Sequence, residues 1–223
     1  MLVRPMARGT PKRRNRKPPS RALAEVRQAA LIEATIQSLA ARGLGAVSVR
    51  DVAARAGVSP GLLRHHFGSF ANLLVAAYRA VVARVDTVID GAIADAGSDP
   101  EKRMQAFLDA SFRPSIVDPD LLAAWLGFWG LVKSEKLAAR VHAESFAAYR
   151  MRVEHLFRDL AKSRGVKVDA RMAALGLSAM LDGLWLELCL DPTSFTPDEA
   201  VKLARDWVEG LLSKSPPPRL ARE

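Results

Sequence analysis

A short segment in the first third of the chain constrains the fold more than any other. Residues 57–67 contain a Gly-Val turn followed by Ser59 and Pro60, which are typical of a helix N-cap and of a first helical position. Just before the turn, Val49 and Val52 begin an apolar pattern at helical spacing. Two helices joined by a short glycine-containing turn form the helix-turn-helix layout. The segment therefore predicts a small helical domain whose second helix is exposed.

The remainder of the chain is also helical by pattern. Ser48 and Asp51 predict a capping box for the helix before the turn, and Ser69 predicts the cap of a long helix that follows it. Later helix starts combine a capping residue with proline, at residues 99–100, 118–119 and 196–197. The sequence predicts an all-α fold of about nine helices. In this fold an N-terminal three-helix helix-turn-helix domain is linked by a long helix to a C-terminal helical bundle.

Composition divides the chain into four parts. We predict a disordered basic arm over 1–21, the helix-turn-helix domain over 22–69, a C-terminal helical domain over 70–213, and a disordered tail over 214–223. The arm carries eight Lys or Arg and no acidic residue, in a chain of net charge +9. Positive charge beside a helix-turn-helix favours phosphate binding. The alternative is that the arm is only a solvated tail.

Several classes of protein are not expected from this sequence. The sequence shows no run of about 18 apolar residues, so we expect no membrane span, and no apolar signal segment at the N-terminus. Cys189 is the only cysteine, which favours a reducing, cytoplasmic location. We find no nucleophile motif, phosphate-binding glycine loop or metal-ligand cluster. We therefore expect no enzyme, cofactor or metal, with His142 and His155 solvated and Cys189 an apolar core residue.

The predicted helices resemble a known family. Residues 47–53, 57–67 and 73–74 resemble the DNA-binding domain of TetR-family transcriptional repressors. Residues 124–129 and 181–186 resemble the effector domain of the choline-responsive betaine regulator branch. The resemblance implies that residues 70–213 form a ligand-sensing and dimerisation domain. It also implies a nucleoid-associated cytoplasmic repressor whose operator affinity changes with a small molecule, and a choline-type quaternary ammonium is a candidate for that molecule. The alternative is a non-specific basic nucleic-acid-binding protein without ligand control.

The second helix of the motif supplies the residues expected in the major groove of double-stranded DNA. Arg64 stands where the family often has an aromatic residue, and its guanidinium can bind guanine with two hydrogen bonds. Phe70 stands where the family often has lysine, so we expect no phosphate contact from it. The candidate DNA contacts are Ser48, Arg50, Ser59, Pro60, Gly61, Leu62, Arg64, His65 and His66.

Aromatic residues predict an effector pocket in the C-terminal part. Trp125 and Trp129 are four residues apart and share one helix face, and tryptophan faces attract cations. Ordinary core packing is the alternative for each aromatic residue taken alone, and a helix cap is the alternative for Asp118. The candidate ligand contacts are Phe112, Asp118, Trp125, Phe128, Trp129, Asp182 and Trp185.

The last two predicted helices have more apolar surface than one subunit core requires. A twofold homodimer on a near-palindromic operator would double the DNA contacts, and such an interface pairs the same surface of both subunits. Packing inside the monomer is the alternative. The candidate dimer contacts are Leu177, Met180, Leu181, Leu184, Val201, Ala204, Val208 and Leu211.

Overall fold

The computed structural model describes residues 20–213 as a helical protein. In this part of the chain the helices are α1 (Ser20–Arg42), α2 (Val49–Arg55), α3 (Pro60–Phe67), α4 (Phe70–Asp95), α5 (Pro100–Ser111), α6 (Pro119–Val132), α7 (Lys136–Arg164), α8 (Ala170–Leu190) and α9 (Pro197–Ser213). Within the same residues the all-α prediction is confirmed, since nine helices and one 3₁₀ turn account for every element. The predicted arm and tail lie outside the described residues, apart from the two arm residues that open α1.

Local signals in the sequence set the helix ends. The Asp118 side chain accepts hydrogen bonds from two backbone N–H groups at the start of α6, and Asp169 accepts one at the start of α8. These contacts satisfy donors that the first turn of a helix leaves unpaired. Gly57 has a φ of 65° between α2 and α3, and Gly165 has a φ of 67° after α7. Glycine adopts this left-handed backbone without a steric penalty, so the chain reverses at both points.

Three apolar clusters form the interior. The N-terminal core joins α1, α2, α3 and the start of α4 around Leu31, Val52, Leu63 and Leu73. The junction cluster joins α1 and α4 to α6 and α7, with Tyr78 and other residues that are almost fully buried. The C-terminal core is the largest and joins α4, α5, α7, α8 and α9.

Helix α4 connects the two ends of the molecule. It contributes Leu73 to the N-terminal core, Tyr78 to the junction cluster and Ile89 to the C-terminal core. The predicted domain boundary at residues 69–70 falls between α3 and α4. Because α4 is shared by all three clusters, a displacement of this helix affects both parts of the protein.

Helix α8 corrects one statement made from the sequence. Ala170–Leu190 is long and apolar enough to span a membrane by length and composition, with a mean hydropathy of 1.5. Asp182 and Glu187 interrupt this apolar segment, so the sequence has no uninterrupted run of that length. Core helices of water-soluble proteins can be equally long and apolar. Here α8 packs against α7 and α9 and contributes Leu177 and Leu181 to the C-terminal core.

Candidate DNA-binding surface and effector cavity

Helix α3 is a short rod held by one face. Ser59 caps it, since its hydroxyl accepts a hydrogen bond from the backbone N–H of Leu62 at 3.3 Å. Leu63 points inward and is 1% exposed, whereas Arg64 and His65 are exposed. The apolar contact fixes the helix, and the charged and polar side chains remain available to a partner.

The start of α2 is held by an ion pair and a capping box. The hydroxyl of Ser48 accepts a hydrogen bond from the backbone N–H of Asp51 at 3.3 Å, and Asp51 accepts one from the backbone N–H of Ser48 at 3.2 Å. Arg42, at the end of α1, binds the same carboxylate at 3.0 Å. The hydrogen bond from the Ser48 side chain, aided by Arg42, lowers the pKa of Asp51. These contacts fix α2 against α1 and so orient the turn that leads to α3.

Most of the predicted DNA contacts lie at the surface. Two of them, Leu62 and His66, are half-buried, and Nε2 of His66 has no hydrogen-bond partner among the described residues. Phe70 packs against both the N-terminal core and the junction cluster. The exposed predicted contacts are Ser48, Arg50, Ser59, Pro60, Gly61, Arg64 and His65.

The C-terminal part encloses a cavity of about 100 Å³. Five aromatic side chains, two carboxylates, two serines and several aliphatic groups surround it. Its walls come from α4, α6, α7, α8 and the region where α5 ends. The lining residues are Val82, Val85, Asp86, Ile89, Ser111, Ile116, Leu121, Trp125, Trp129, Ser145, Phe146, Tyr149, Leu181, Asp182 and Trp185.

Asp182 is the polar group in the cavity wall that is left without a counter-ion. No side chain between residues 20 and 213 donates a hydrogen bond to its carboxylate or forms an ion pair with it. Burial raises the pKa of Asp182 to about 6, and the positive charge of Arg150 opposes this shift. By contrast, Asp86 across the cavity is paired with Arg152 at 2.9 Å. An ionised Asp182 would be stabilised by a cation that enters the cavity.

Two further polar groups in the wall can contact a ligand. Nε1 of Trp129 is buried and has no acceptor in the described part of the chain. Tyr149 is packed against the C-terminal core, and burial, with the charge of Asp182, raises the pKa of its phenol, which therefore stays protonated. Trp185 differs, because its Nε1 donates to the backbone carbonyl of Ile116 at 2.8 Å.

Three residues predicted for the pocket do not line it. Phe128 is fully buried in the junction cluster, where its ring stacks on Tyr78 at a centroid distance of 5.0 Å. Phe112 is 3% exposed and belongs to the C-terminal core. Asp118 caps α6 and lies in a separate groove, which α1 also lines. The core and cap alternatives therefore apply to these three, while Trp125, Trp129, Asp182 and Trp185 do line the cavity.

Sequence reasoning missed the contribution of α7 and of α4. Ser145, Phe146 and Tyr149 all lie in the cavity wall, at the i, i+1, i+4 spacing of one helix face. The sequence shows this spacing, but no local sequence pattern distinguishes residues that line a cavity from residues that pack in a core. Asp86 on α4 gave no signal at all, because it lies among apolar residues of a long helix.

The predicted dimer contacts require correction. Most of them serve the subunit's own C-terminal core, so the alternative of packing inside the monomer applies to them. The remaining three, Met180, Leu184 and Leu211, are half-buried and pack against the same core. Those that are buried inside the subunit, and so unavailable to a partner, are Leu177, Leu181, Val201, Ala204 and Val208.

A different set of apolar residues is exposed on the same two helices. Met172 and Leu175 on α8 are 53% and 47% exposed, and Leu203 on α9 is 52% exposed. Ala179 and Gly183 continue the exposed face of α8. We name these five residues the α8–α9 stripe. The error arose because α8 is apolar on two faces, and the sequence pattern does not indicate which face meets the subunit core; α9 exposes a large apolar side chain at Leu203.

Comparison with known proteins agrees with this arrangement. Residues 31–77 match the family model of bacterial regulatory proteins of the tetR family, and residues 100–213 match the model of the BetI-type transcriptional repressor C-terminal domain. The chain belongs to the TetR family, with a BetI-type C-terminal domain. It is 33% identical to the HTH-type transcriptional regulator BetI of Paraburkholderia phymatum, over 88% of this chain and 98% of that protein.

Solved structures share the fold. A protein of Pseudomonas aeruginosa PAO1 described as a transcriptional regulator has a TM-score of 0.80 and 45% identity, covering 85% of this chain and 91% of that one. A regulator from Saccharomonospora viridis, solved in complex with choline, has a TM-score of 0.69 and 22% identity, covering 83% of this chain and 96% of that one. The TetR-family protein described here is thus a DNA-binding transcriptional regulator. The family and relatives are named as regulators rather than as enzymes.

Proposed function

We propose that this TetR-family protein is a repressor that binds a near-palindromic operator as a homodimer, and that a small cation in the cavity changes its operator affinity. The observation that carries the ligand proposal is the carboxylate of Asp182, which lines an aromatic cavity and has no ion pair within the described residues. A ligand alters DNA binding only by its different affinity for the two states, commonly by 1–3 kcal/mol.

The chemistry of the cavity favours a quaternary ammonium. Trp125, Trp129 and Trp185 line the same space as Asp182, and a cation over the face of a tryptophan ring gains about 0.5–2 kcal/mol. The cavity has a volume of about 100 Å³ and is partly open to solvent, which suits a small molecule. The choline complex of the Saccharomonospora viridis regulator supports choline as the first compound to test.

A titration of the purified protein tests the ligand class. Choline is compared with 3,3-dimethylbutan-1-ol, its uncharged carbon isostere, by calorimetry and by the change in DNA affinity. We expect choline to bind at least about tenfold more tightly, since the isostere forfeits the cation–π contacts and the attraction of Asp182. Equal binding of the two compounds would exclude a cation-selective cavity.

The DNA proposal rests on the exposed side chains of α3. A pair of α3 helices related by twofold symmetry would meet successive major grooves about 34–36 Å apart. Duplexes selected from a random pool by the purified protein should contain two inverted half-sites at that spacing. Arg64→Ala should lower affinity for them by about 1–3 kcal/mol if Arg64 contacts guanine. Arg113→Ala, an exposed arginine between α5 and α6, is the matched control and should leave affinity unchanged.

A non-specific basic nucleic-acid binder is the competing proposal, because the arm over 1–21 carries eight positive charges. Competition with random DNA separates the two, since a specific regulator prefers its site by about a thousandfold or more. Removing residues 1–19 should reduce the slope of log affinity against log salt by about 0.9 for each lost phosphate contact. An unchanged slope would show that the arm does not touch DNA. Association with the nucleoid in the cytoplasm follows from the same DNA binding and remains part of the proposal.

A further inference from the structure

A hydrogen bond joins α4 to α7 between the cavity and the DNA-binding domain. The hydroxyl of Tyr78 and Nδ1 of His142 are 3.0 Å apart, and Tyr78 is only 1% exposed. Burial raises the pKa of Tyr78 to about 12. Burial also lowers the pKa of His142, and Arg150 adds to this effect. At neutral pH the bond therefore joins two uncharged groups.

Both partners of this bond touch a ring of the cavity wall. Tyr78 meets Trp125 edge-on, with centroids 5.6 Å apart and planes at 84°. His142 contacts Phe146 at a centroid distance of 4.3 Å. Trp125 and Phe146 both line the cavity, whereas Tyr78 and His142 lie behind them. A ligand that displaces either cavity ring changes the space available to the Tyr78–His142 pair.

The cluster that contains Tyr78 also reaches the DNA-binding domain. Tyr78 belongs to the junction cluster with Leu39 of α1. Ile32, Val47 and Phe70 pack against this cluster and also against the N-terminal core that holds α3. These shared residues connect the junction cluster to the core that holds the recognition helix.

We propose that Tyr78 and His142 are positioning residues that transmit occupancy of the cavity to the DNA-binding helices. This inference rests on the proposed function, because it assumes that the cavity controls DNA binding. When the cavity is filled, Trp125 and Phe146 move against the pair, and the hydrogen bond makes α4 shift together with α7. The rival route runs along α4 itself, since Val82, Val85 and Asp86 also line the cavity.

A double-mutant cycle separates the two routes without requiring a known ligand. Ser145 lines the cavity on α7, and its hydroxyl forms no hydrogen bond with another residue in the described range. Ser145→Phe therefore fills the cavity with a covalent occupant. DNA affinity is measured for the wild type, Ser145→Phe, Tyr78→Phe and the double variant, on a duplex selected by the wild-type protein. We expect Ser145→Phe alone to change affinity by about five- to 150-fold, the usual range of coupling between sites. In the Tyr78→Phe background the change should fall to less than about twofold.

Companion variants test the hydrogen bond itself. His142→Asn keeps an acceptor near the position of Nδ1 and should preserve the response to Ser145→Phe, whereas His142→Leu should abolish it. Val208→Ala removes buried apolar volume from α9 and controls for lost stability; its response should equal that of the wild type.

Each outcome decides between the proposals. The inference is overturned if Ser145→Phe changes DNA affinity by the same factor in the wild type and in Tyr78→Phe, or by the same factor in the wild type and in His142→Leu. Control of DNA binding by the cavity would then still stand. If Ser145→Phe leaves DNA affinity unchanged in the wild-type background, the inference and cavity control of DNA binding both fail. If choline does not bind but the cycle gives the expected loss, only the proposed ligand class fails.

Discussion

The charge of Asp182 makes ligand binding depend on pH. Burial raises the pKa of this carboxyl from 3.8 to about 6, with Arg150 opposing the shift. A cation in the cavity favours the ionised form and lowers that pKa again. Cation affinity should therefore rise with pH through about 6, and binding below that pH should release a proton. The contribution of Asp182 to the free energy of unfolding of the empty protein should fall as the pH rises from 4 to 6, because ionisation of this carboxyl disfavours the folded state; the difference between the wild type and Asp182→Asn isolates this contribution.

The magnitude follows from the ionised fraction. With a pKa of about 6, about one molecule in eleven has an ionised Asp182 at pH 5, and nearly all do at pH 7.5. If the cation binds only the ionised form, its affinity is about tenfold lower at pH 5, or about 1.4 kcal/mol. Calorimetry with choline at the two pH values, in buffers of different ionisation enthalpy, gives both the affinity and the number of protons released.

Neighbouring groups define the control. Asp86 is held by Arg152, and the phenol of Tyr149 does not titrate in this range. His142 lies behind the cavity wall and has a lowered pKa, so it contributes any pH dependence that survives in Asp182→Asn. We expect Asp182→Asn to bind choline about tenfold more weakly at pH 7.5 and with a nearly flat pH profile. An Asp182→Asn protein with the wild-type profile would refute the counter-ion argument.

Four further substitutions test the packing. Leu175→Glu places charge in the α8–α9 stripe and should convert a dimer to monomers in analytical ultracentrifugation, since buried unpaired charge is costly; an unchanged mass would refute the stripe as interface. Gly91→Ala places a methyl group in open space on α4 and should raise the free energy of unfolding in denaturant melts by about 1 kcal/mol. Gly176→Ala should give no such gain, because its Cβ would lie 3.0 Å from the ring of Trp207. Arg164→Gln should cost about 1 kcal/mol in the same melts, with a smaller loss at high salt, because the guanidinium bridges two half-exposed glutamates on α5 and α9.

Helix ends were predictable because their causes are local. The capping hydroxyl of Ser59, the carboxylate cap of Asp118 and the left-handed Gly165 each act within about four residues of the chain. Both partners of such a contact lie in the same short stretch of sequence. The end of α7 at Arg164 therefore coincides with the left-handed glycine that follows it.

The cavity was predicted only in part because it depends on contacts between distant segments. Trp125, Phe128 and Trp129 lie within five residues of an α6 that is apolar on most of its surface. Trp125 and Trp129 face the cavity, and Phe128 faces Tyr78 on α4. Trp125 and Phe128 are three residues apart and so are neighbours on the helix surface, and the spacing does not indicate which of them meets an empty space. The same limit explains why Leu177 and Leu181 were predicted as dimer contacts, although both are buried in the subunit core.

Helix α8 places the proposed ligand site and the proposed interface on one rigid element. Its first half exposes Met172 and Leu175, and its second half presents Asp182 and Trp185 to the cavity. A cation that binds Asp182 therefore acts on the helix that would pair the subunits, while a displaced Trp125 acts on α4. Because the separation of two recognition helices depends on both α4 and the pairing of subunits, the two effects combine at the operator. Tyr78→Phe should then remove the part of the ligand's effect on DNA affinity that is transmitted through α4. Any effect of the ligand on the affinity between subunits should remain.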